Sequence, residues 1–173
     1  MKNLDFLFLF HALFKFKDLR EIELYFDDSL SFTNESFKYL GIFISTNPRI
    51  QSLSLKFIDK KYGWKKVTDT GLRDFMAGLQ KLRFLQNLSC SLNSFGNTST
   101  KSIIALSDFI QNMKSLHTIN LEFSHFEGFG DYEFEIISSS FHPESLITNL
   151  RVEIAGTQVT EEGIINFFYH IFF

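Results

Sequence analysis

Cys90 is the only cysteine in the chain. A lone cysteine excludes an intramolecular disulfide framework and fits a reducing compartment. In "LQNLSCSL" it falls on the inward side of an alternating pattern, where a thiol serves as a small core residue rather than a nucleophile. A hydrolytic triad needs a nucleophile, a base and an orienting acid in contact. Serines are plentiful and there are five histidines, but no nucleophile-elbow motif is present. His117, His125 and His142 match no compact zinc spacing, and no cysteine pair assists them. "EGFGD" (Glu127 to Asp131) holds a Gly-x-Gly but neither the third glycine of a dinucleotide fingerprint nor a P-loop lysine. Its glycines are expected to permit a tight turn before a helix. The chain is therefore expected to be no enzyme, and to use no catalytic residue, metal, cofactor or small-molecule substrate.

One stretch points to binding. "DKKYGWKK", Asp59 to Lys66, sets four lysines around the single tryptophan of a chain whose net charge is −3. Lys60, Lys61, Tyr62, Trp64, Lys65 and Lys66 could form a basic, aromatic hook, with charge for an acidic group and an indole for stacking. The bland reading packs Trp64 onto the fold and leaves the lysines solvated. One cluster is few contacts for nucleic acid, so a protein partner suits it better.

Composition sets the outer bounds. Hydrophobic residues make up 45% and charged residues 21% of 173, which describes a globular chain. The mildly acidic balance predicts no general attraction to polyanions. Phenylalanine is over-used, at 23 positions, and reads as core. The opening "MKNLDFLFLFHALFKFK" is broken by Asp5 and His11, and the closing "IINFFYHIFF" is short of the ~20 apolar residues a span needs. Neither end reads as a targeting or membrane segment.

The elements that position these residues come from a repeat. "LREIELYF" from Leu19, "IQSLSLKF" from Ile50, "LQNLSCSL" from Leu85, "LHTINLEF" from Leu116 and "ITNLRVEI" from Ile147 resemble one another at spacings of 31, 35, 31 and 31 residues. Period-two alternation makes each a strand with one buried face. The inward residues are Ile22 and Leu24, Leu53 and Leu55, Leu88 and Cys90, Ile119 and Leu121, and Leu150 and Val152. The segments between carry the helical period. One apolar column reads Phe6, Phe37, Leu72, Ile103, Phe134, Ile165. The next reads Leu9, Leu40, Phe75, Leu106, Ile137, Phe168. The last reads Leu13, Ile44, Leu79, Ile110, Phe141, Phe172. "VTDTGL" (from Val67) and "VTEEGI" (from Val159) supply matching helix entries, with cap residues and acidic first turns. Pro143 ends the fourth repeat's helix. Strand, helix, strand in succession requires parallel strands with right-handed crossovers.

The "LxxLxL" runs and the two helix entries resemble the leucine-rich repeat family in its ribonuclease-inhibitor-like form, over essentially the whole chain. The resemblance implies one α/β horseshoe spanning 1–173, with about five parallel strands on the concave face and six helical segments on the convex face. The repeats are longer than the family's usual unit. The asparagine that normally follows each strand is clear only at Asn93.

The resemblance also implies protein binding on the concave face. Three outward columns line it: Glu21, Ser52, Asn87, Thr118, Asn149; then Glu23, Ser54, Ser89, Asn120, Arg151; then Tyr25, Lys56, Ser91, Glu122, Glu153. The last two columns are the candidate partner-binding residues, together with the loop at 59–66. Neither end carries a polar cap of the kind solenoids use, so protein partners are also expected at the apolar termini. The leading expectation is a non-enzymatic scaffold or assembly subunit of an intracellular complex, cytoplasmic or cytoskeletal. Alternatives are recognition of a polyanion or acidic tail through the 59–66 loop, and a substrate-receptor module of a larger enzyme.

Overall fold

The computed structural model describes residues 4–26, 32–58, 64, 66–93, 95, 97–141 and 145–172, with side chains omitted at 4–8 and 172. Among these lie five strands: β1 (Glu21–Phe26), β2 (Ser52–Phe57), β3 (Asn87–Leu92), β4 (Thr118–Glu122) and β5 (Asn149–Glu153). Six helices alternate with them: α1 (Leu4–Leu13), α2 (Asn34–Ser45), α3 (Asp69–Leu79), α4 (Thr100–Asn112), α5 (Asp131–Ser138) and α6 (Glu161–Phe172). The strands form one parallel sheet in the order β1-β2-β3-β4-β5. Each helix packs on the helices before and after it. The arrangement is a solenoid-like α/β stack in which contacts run from neighbour to neighbour.

Equivalent residues pair across every strand junction. Ile22 sits beside Leu53, Leu53 beside Leu88, Leu88 beside Ile119, and Ile119 beside Leu150. The inward residues of β2, β3 and β4 are all buried, as are the three helix-column residues of α2, α3 and α4. The α2–α3 approach is the closest. A methyl added at Gly78 would lie 2.6 Å from the Gly41 Cα and closer still to its carbonyl oxygen, so only glycine fits that crossing.

The end repeats depart from the columns. In α6, Ile165 is 67% exposed and Phe168 53%, while Phe167 is buried and Ile164 and Ile171 face the cavity beside β5. The buried face of α6 is therefore one residue earlier, and Phe167 stacks on Phe134 at 4.3 Å. In α1, Leu9 is exposed and Phe10 is buried against Phe43. Leu150 is 36% exposed and Leu24 and Val152 are half-buried, because β1 and β5 each have a strand on one side only. The α5 helix stops at Ser138, so Phe141 reaches the core from beyond the helix end, and Pro143 lies outside the described residues.

Phenylalanine fills the space between strand ends and helix starts. Phe57 is ringed by Phe37 at 4.9 Å, Phe26 at 5.2 Å, Phe95 at 5.9 Å and Trp64 at 6.0 Å, centroid to centroid. Offset-stacked and edge-on pairs at such distances stabilise beyond simple area burial.

Helix starts are joined by a ladder of caps. The Thr68 N–H donates to Asn34 Oδ1 at 2.8 Å, and Asn34 Nδ2 donates to Thr68 Oγ1 at 2.9 Å. The Ser99 N–H and Oγ donate to the two oxygens of Asp69, each at 2.7 Å, and Ser102 Oγ adds a third bond at 2.6 Å. The Thr160 N–H and Oγ1 donate to Asp131, each at 2.7 Å. Thr100 Oγ1 donates to Glu133 across the α4–α5 step at 2.6 Å. At the α2–α3, α3–α4 and α5–α6 steps the first residue of one helix thus orders the N-cap of the next. Asn93 does not act through the backbone in this way; its Nδ2 donates to Glu122 Oε1 at 2.7 Å.

Burial acts to raise the pKa of Asp69, but the bonds from Ser102 and Ser99 and the Lys101 charge outweigh it, so its carboxyl lies below the ordinary value. The two bonds from Thr160 lower that of Asp131. A depressed folded value stabilises the fold above the unfolded value of about 3.9 and loses that contribution as pH falls through the folded value. Asp69→Asn should therefore weaken resistance to urea at neutral pH. The gap to the wild type should shrink as acidification passes below the unfolded value. Urea titrations followed by circular dichroism on either side of that value check this. An unchanged gap would remove the carboxylate ladder as a source of stability.

Candidate partner-binding surfaces

The three outward columns exist as aligned sets. Pairing runs Glu23–Ser54–Ser89–Asn120–Arg151 and Tyr25–Lys56–Ser91–Glu122–Glu153 across the sheet. Parallel pairing in identical register is the cause, since side-chain direction alternates with period two. Glu23, Tyr25 and Arg151 are exposed, and Ser54, Lys56, Ser89, Asn120, Glu122 and Glu153 are half-buried. Asn120 Nδ2 donates to Ser89 Oγ at 3.3 Å, and Arg151 pairs with Glu153 at 3.0 Å. Both sides of that ion pair are largely solvated, so it contributes at most ~1 kcal/mol.

Ser91 does not belong to an accessible surface. It is 3% exposed, because its short side chain lies between the longer Lys56 and Glu122. Its Oγ finds no partner among the described residues.

The tryptophan hook is corrected as well. Trp64 is 3% exposed and packs among Phe32 at 5.1 Å, Phe57 at 6.0 Å and Phe95 at 6.1 Å. An indole held there offers no face to a base or a partner. The sequence signal misled because lysines flank the tryptophan, while its ring answers to the phenylalanines that folding brings around it. Lys66 is exposed. Lys60, Lys61, Tyr62 and Lys65 lie outside the described residues.

The other chemistry-bearing residues are scattered and do not converge. Cys90 is buried, and burial pushes its thiol up to about 12. His117 is exposed, and its Nδ1 lies 2.8 Å from the Ser115 carbonyl, to which it donates. His125 is exposed and adopts a left-handed φ of 56°. His142 lies outside the described residues. Among the described residues no three His, Cys, Asp or Glu side chains gather as a metal site requires, and no helix is long and apolar enough to cross a membrane. Gly128 has φ +79°, a turn conformation glycine favours, and Gly130 is the N-cap of α5.

Two further surfaces lie apart from the outward columns. One is a cavity of about 720 Å³ between β5 and α6, lined by Leu150, Val152, Ile164, Phe167 and Ile171 among others. The other is a set of exposed apolar residues between helix ends and strand starts, namely Phe16, Phe84 and Leu146. These fall outside both periods, so no alternation or helical spacing marks them. No family profile matches the sequence, and no curated protein matches it significantly.

Trp64, the sole tryptophan, reports its own environment. Native emission should be blue-shifted and weakly quenched by acrylamide, and Trp64→Ala should cost about 3–5 kcal/mol in urea. Strong quenching in the native state would contradict the buried placement. Cys90 should resist a thiol reagent in the native protein and react fully in denaturant. Rapid native modification would show an accessible thiolate.

Proposed function

We propose that this chain is a leucine-rich repeat solenoid of the ribonuclease-inhibitor-like form, curved as a horseshoe, serving as a non-enzymatic scaffold or assembly subunit of an intracellular complex. One observation carries the reading: five parallel strands hold polar columns in strict register on a face whose described residues, Ser91 apart, are exposed or half-buried. A regular, rigid face of that kind suits recognition of another protein. Tyr25 on β1 and Arg151 on β5 are its exposed residues of the types that dominate protein hot spots, and Glu23 is exposed beside Tyr25 on β1. The open apolar cavity against β5 and the exposed Ile165, Phe168 and Tyr169 of α6 suit further contacts at that end. Recognition of a polyanion by the 59–66 loop loses support, since the indole it needs is in the core.

The test is a pull-down from native extract with the wild type and with Tyr25→Ala/Arg151→Ala. Both side chains are exposed, so the variant should fold. Capture of a defined partner by the wild type and its loss in the variant supports the reading. Equal capture by both, or no stable partner for either, overturns it.

A further inference from the structure

The segments that lead from each helix to the next strand share one rim of the stack. Their described residues are 14–20, 46–51, 80–86, 113–117, 139–141 and 145–148. They carry Lys15, Lys17, Arg20, Arg49, Lys81, Arg83 and Lys114 against a single acid, Asp18. That is +6 among the described residues, and +5 by sequence once Glu144 of the last segment is counted, in a chain whose formal net charge is −3. All seven cations are exposed, and among the described residues only Arg49 forms an ion pair, with Asp18 at 3.2 Å.

Helix dipoles do not account for this charge. Cations answer a helix C-terminus within its last turn, and none of α2, α3, α4 and α5 has a basic residue there. The cations stand beyond the helices, in the connecting segments.

The repeat brings them together. Backbone bonds run from His117 to Gln86, from Gln86 to Gln51 and from Gln51 to Arg20, so these positions are adjacent rungs about 4.8 Å apart. Counting back three residues along each segment puts Lys114 beside Arg83, a neighbourhood marked by Ser115 Oγ donating to the Arg83 carbonyl at 3.2 Å. A cavity of about 810 Å³ opens there, with Arg83, Lys114 and His117 in its wall and Gln86 and Asn112 as amide donors. A second, of about 350 Å³, shares Met113, Lys114 and Leu146 with it. Phe84 and Leu146 are each more than half exposed beside these cations, and Phe16 is likewise exposed between Lys15 and Lys17.

We propose that this rim docks an extended acidic protein segment that carries apolar side chains. Carboxylates would meet Arg83, Lys114 and Lys81, and apolar groups would cover Phe84 and Leu146. The apolar component selects a protein segment over nucleic acid, whose backbone has nothing to offer Leu146 or Met113. The rest of the chain, with net charge −8 once the +5 of these segments is set apart from −3, repels a long polyanion beyond the rim. The rim is a different surface from the open sheet face, and the proposal stands without it.

The probe is a fluorescein-labelled peptide of alternating glutamate and leucine, titrated with the whole chain and read by anisotropy at about 50 mM and about 300 mM salt. Binding should weaken with salt. Lys81→Gln/Arg83→Gln/Lys114→Gln should lose about tenfold in affinity. Phe84→Ser, with all charges kept, should lose several-fold, and Tyr25→Ala/Arg151→Ala should bind as the wild type does. Failure of the sheet-face variant to capture its own partner thus reads separately from this result. Equal binding by the triple variant would overturn the proposal. So would indifference to Phe84→Ser, which reduces the rim to bulk charge, or tighter binding of a single-stranded oligonucleotide of equal charge. The altered side chains are all exposed, and unchanged circular dichroism confirms folding of each variant.

Discussion

Parallel pairing of equivalent residues is the constraint on which the rest of the structure rests. With Leu53 held between Ile22 and Leu88, every position in one repeat lies beside the same position in the next. An apolar residue therefore has apolar neighbours on both sides, and a polar one has polar neighbours. The sheet separates into a dry face and a wet face through pairing of adjacent repeats alone. The helices inherit the same spacing. Phe37, Leu72, Ile103 and Phe134 form one line across four helices, all buried. Each repeat contacts only its neighbours, so stability accrues by addition along the stack.

The same constraint explains how much could be read from the amino-acid sequence. A period of 31 residues and two nested patterns placed the five strands, their order and the outward columns. Those features depend on repetition, and repetition is visible in a string of letters. Ile165 and Phe168 could not be placed that way. Their column continues the pattern, but the buried face of α6 is decided by Phe167 stacking on Phe134, a contact with no periodic signature. Leu150 fits its column too, yet burial needs a covering neighbour as well as the right residue. Trp64 shows the limit most clearly. Its sequence neighbours are lysines, while its spatial neighbours are Phe32, Phe57 and Phe95. The basic, aromatic surface implied at 59–66 has an exposed counterpart on the other rim, around Arg83 and Phe84, where no single short motif announces it.

The abundance of phenylalanine is also accounted for. Strand ends and helix starts leave a broad gap at one rim, and flat rings fill it by stacking. Phe57 alone has five aromatic neighbours within about 6 Å, the range in which ring pairs interact favourably. Where a residue after each strand might have ordered the turns, this chain works instead through Asn34, Asp69 and Asp131 at helix starts.

That cap ladder has a sense of direction. Asn34 in α2 completes the start of α3, Asp69 in α3 that of α4, and Asp131 in α5 that of α6. Removing a helix strips the cap from its successor, whereas its predecessor merely returns a carboxylate or amide to water. An unpaired backbone donor is the costlier loss where it is shielded from solvent. Fraying that begins at α2 thus takes away the part-buried cap of α3, whereas the Ser99 and Thr160 donors are exposed and return to water when theirs is lost. The stack is polar in the mechanical sense, like a row of tiles each overlapping the one after it.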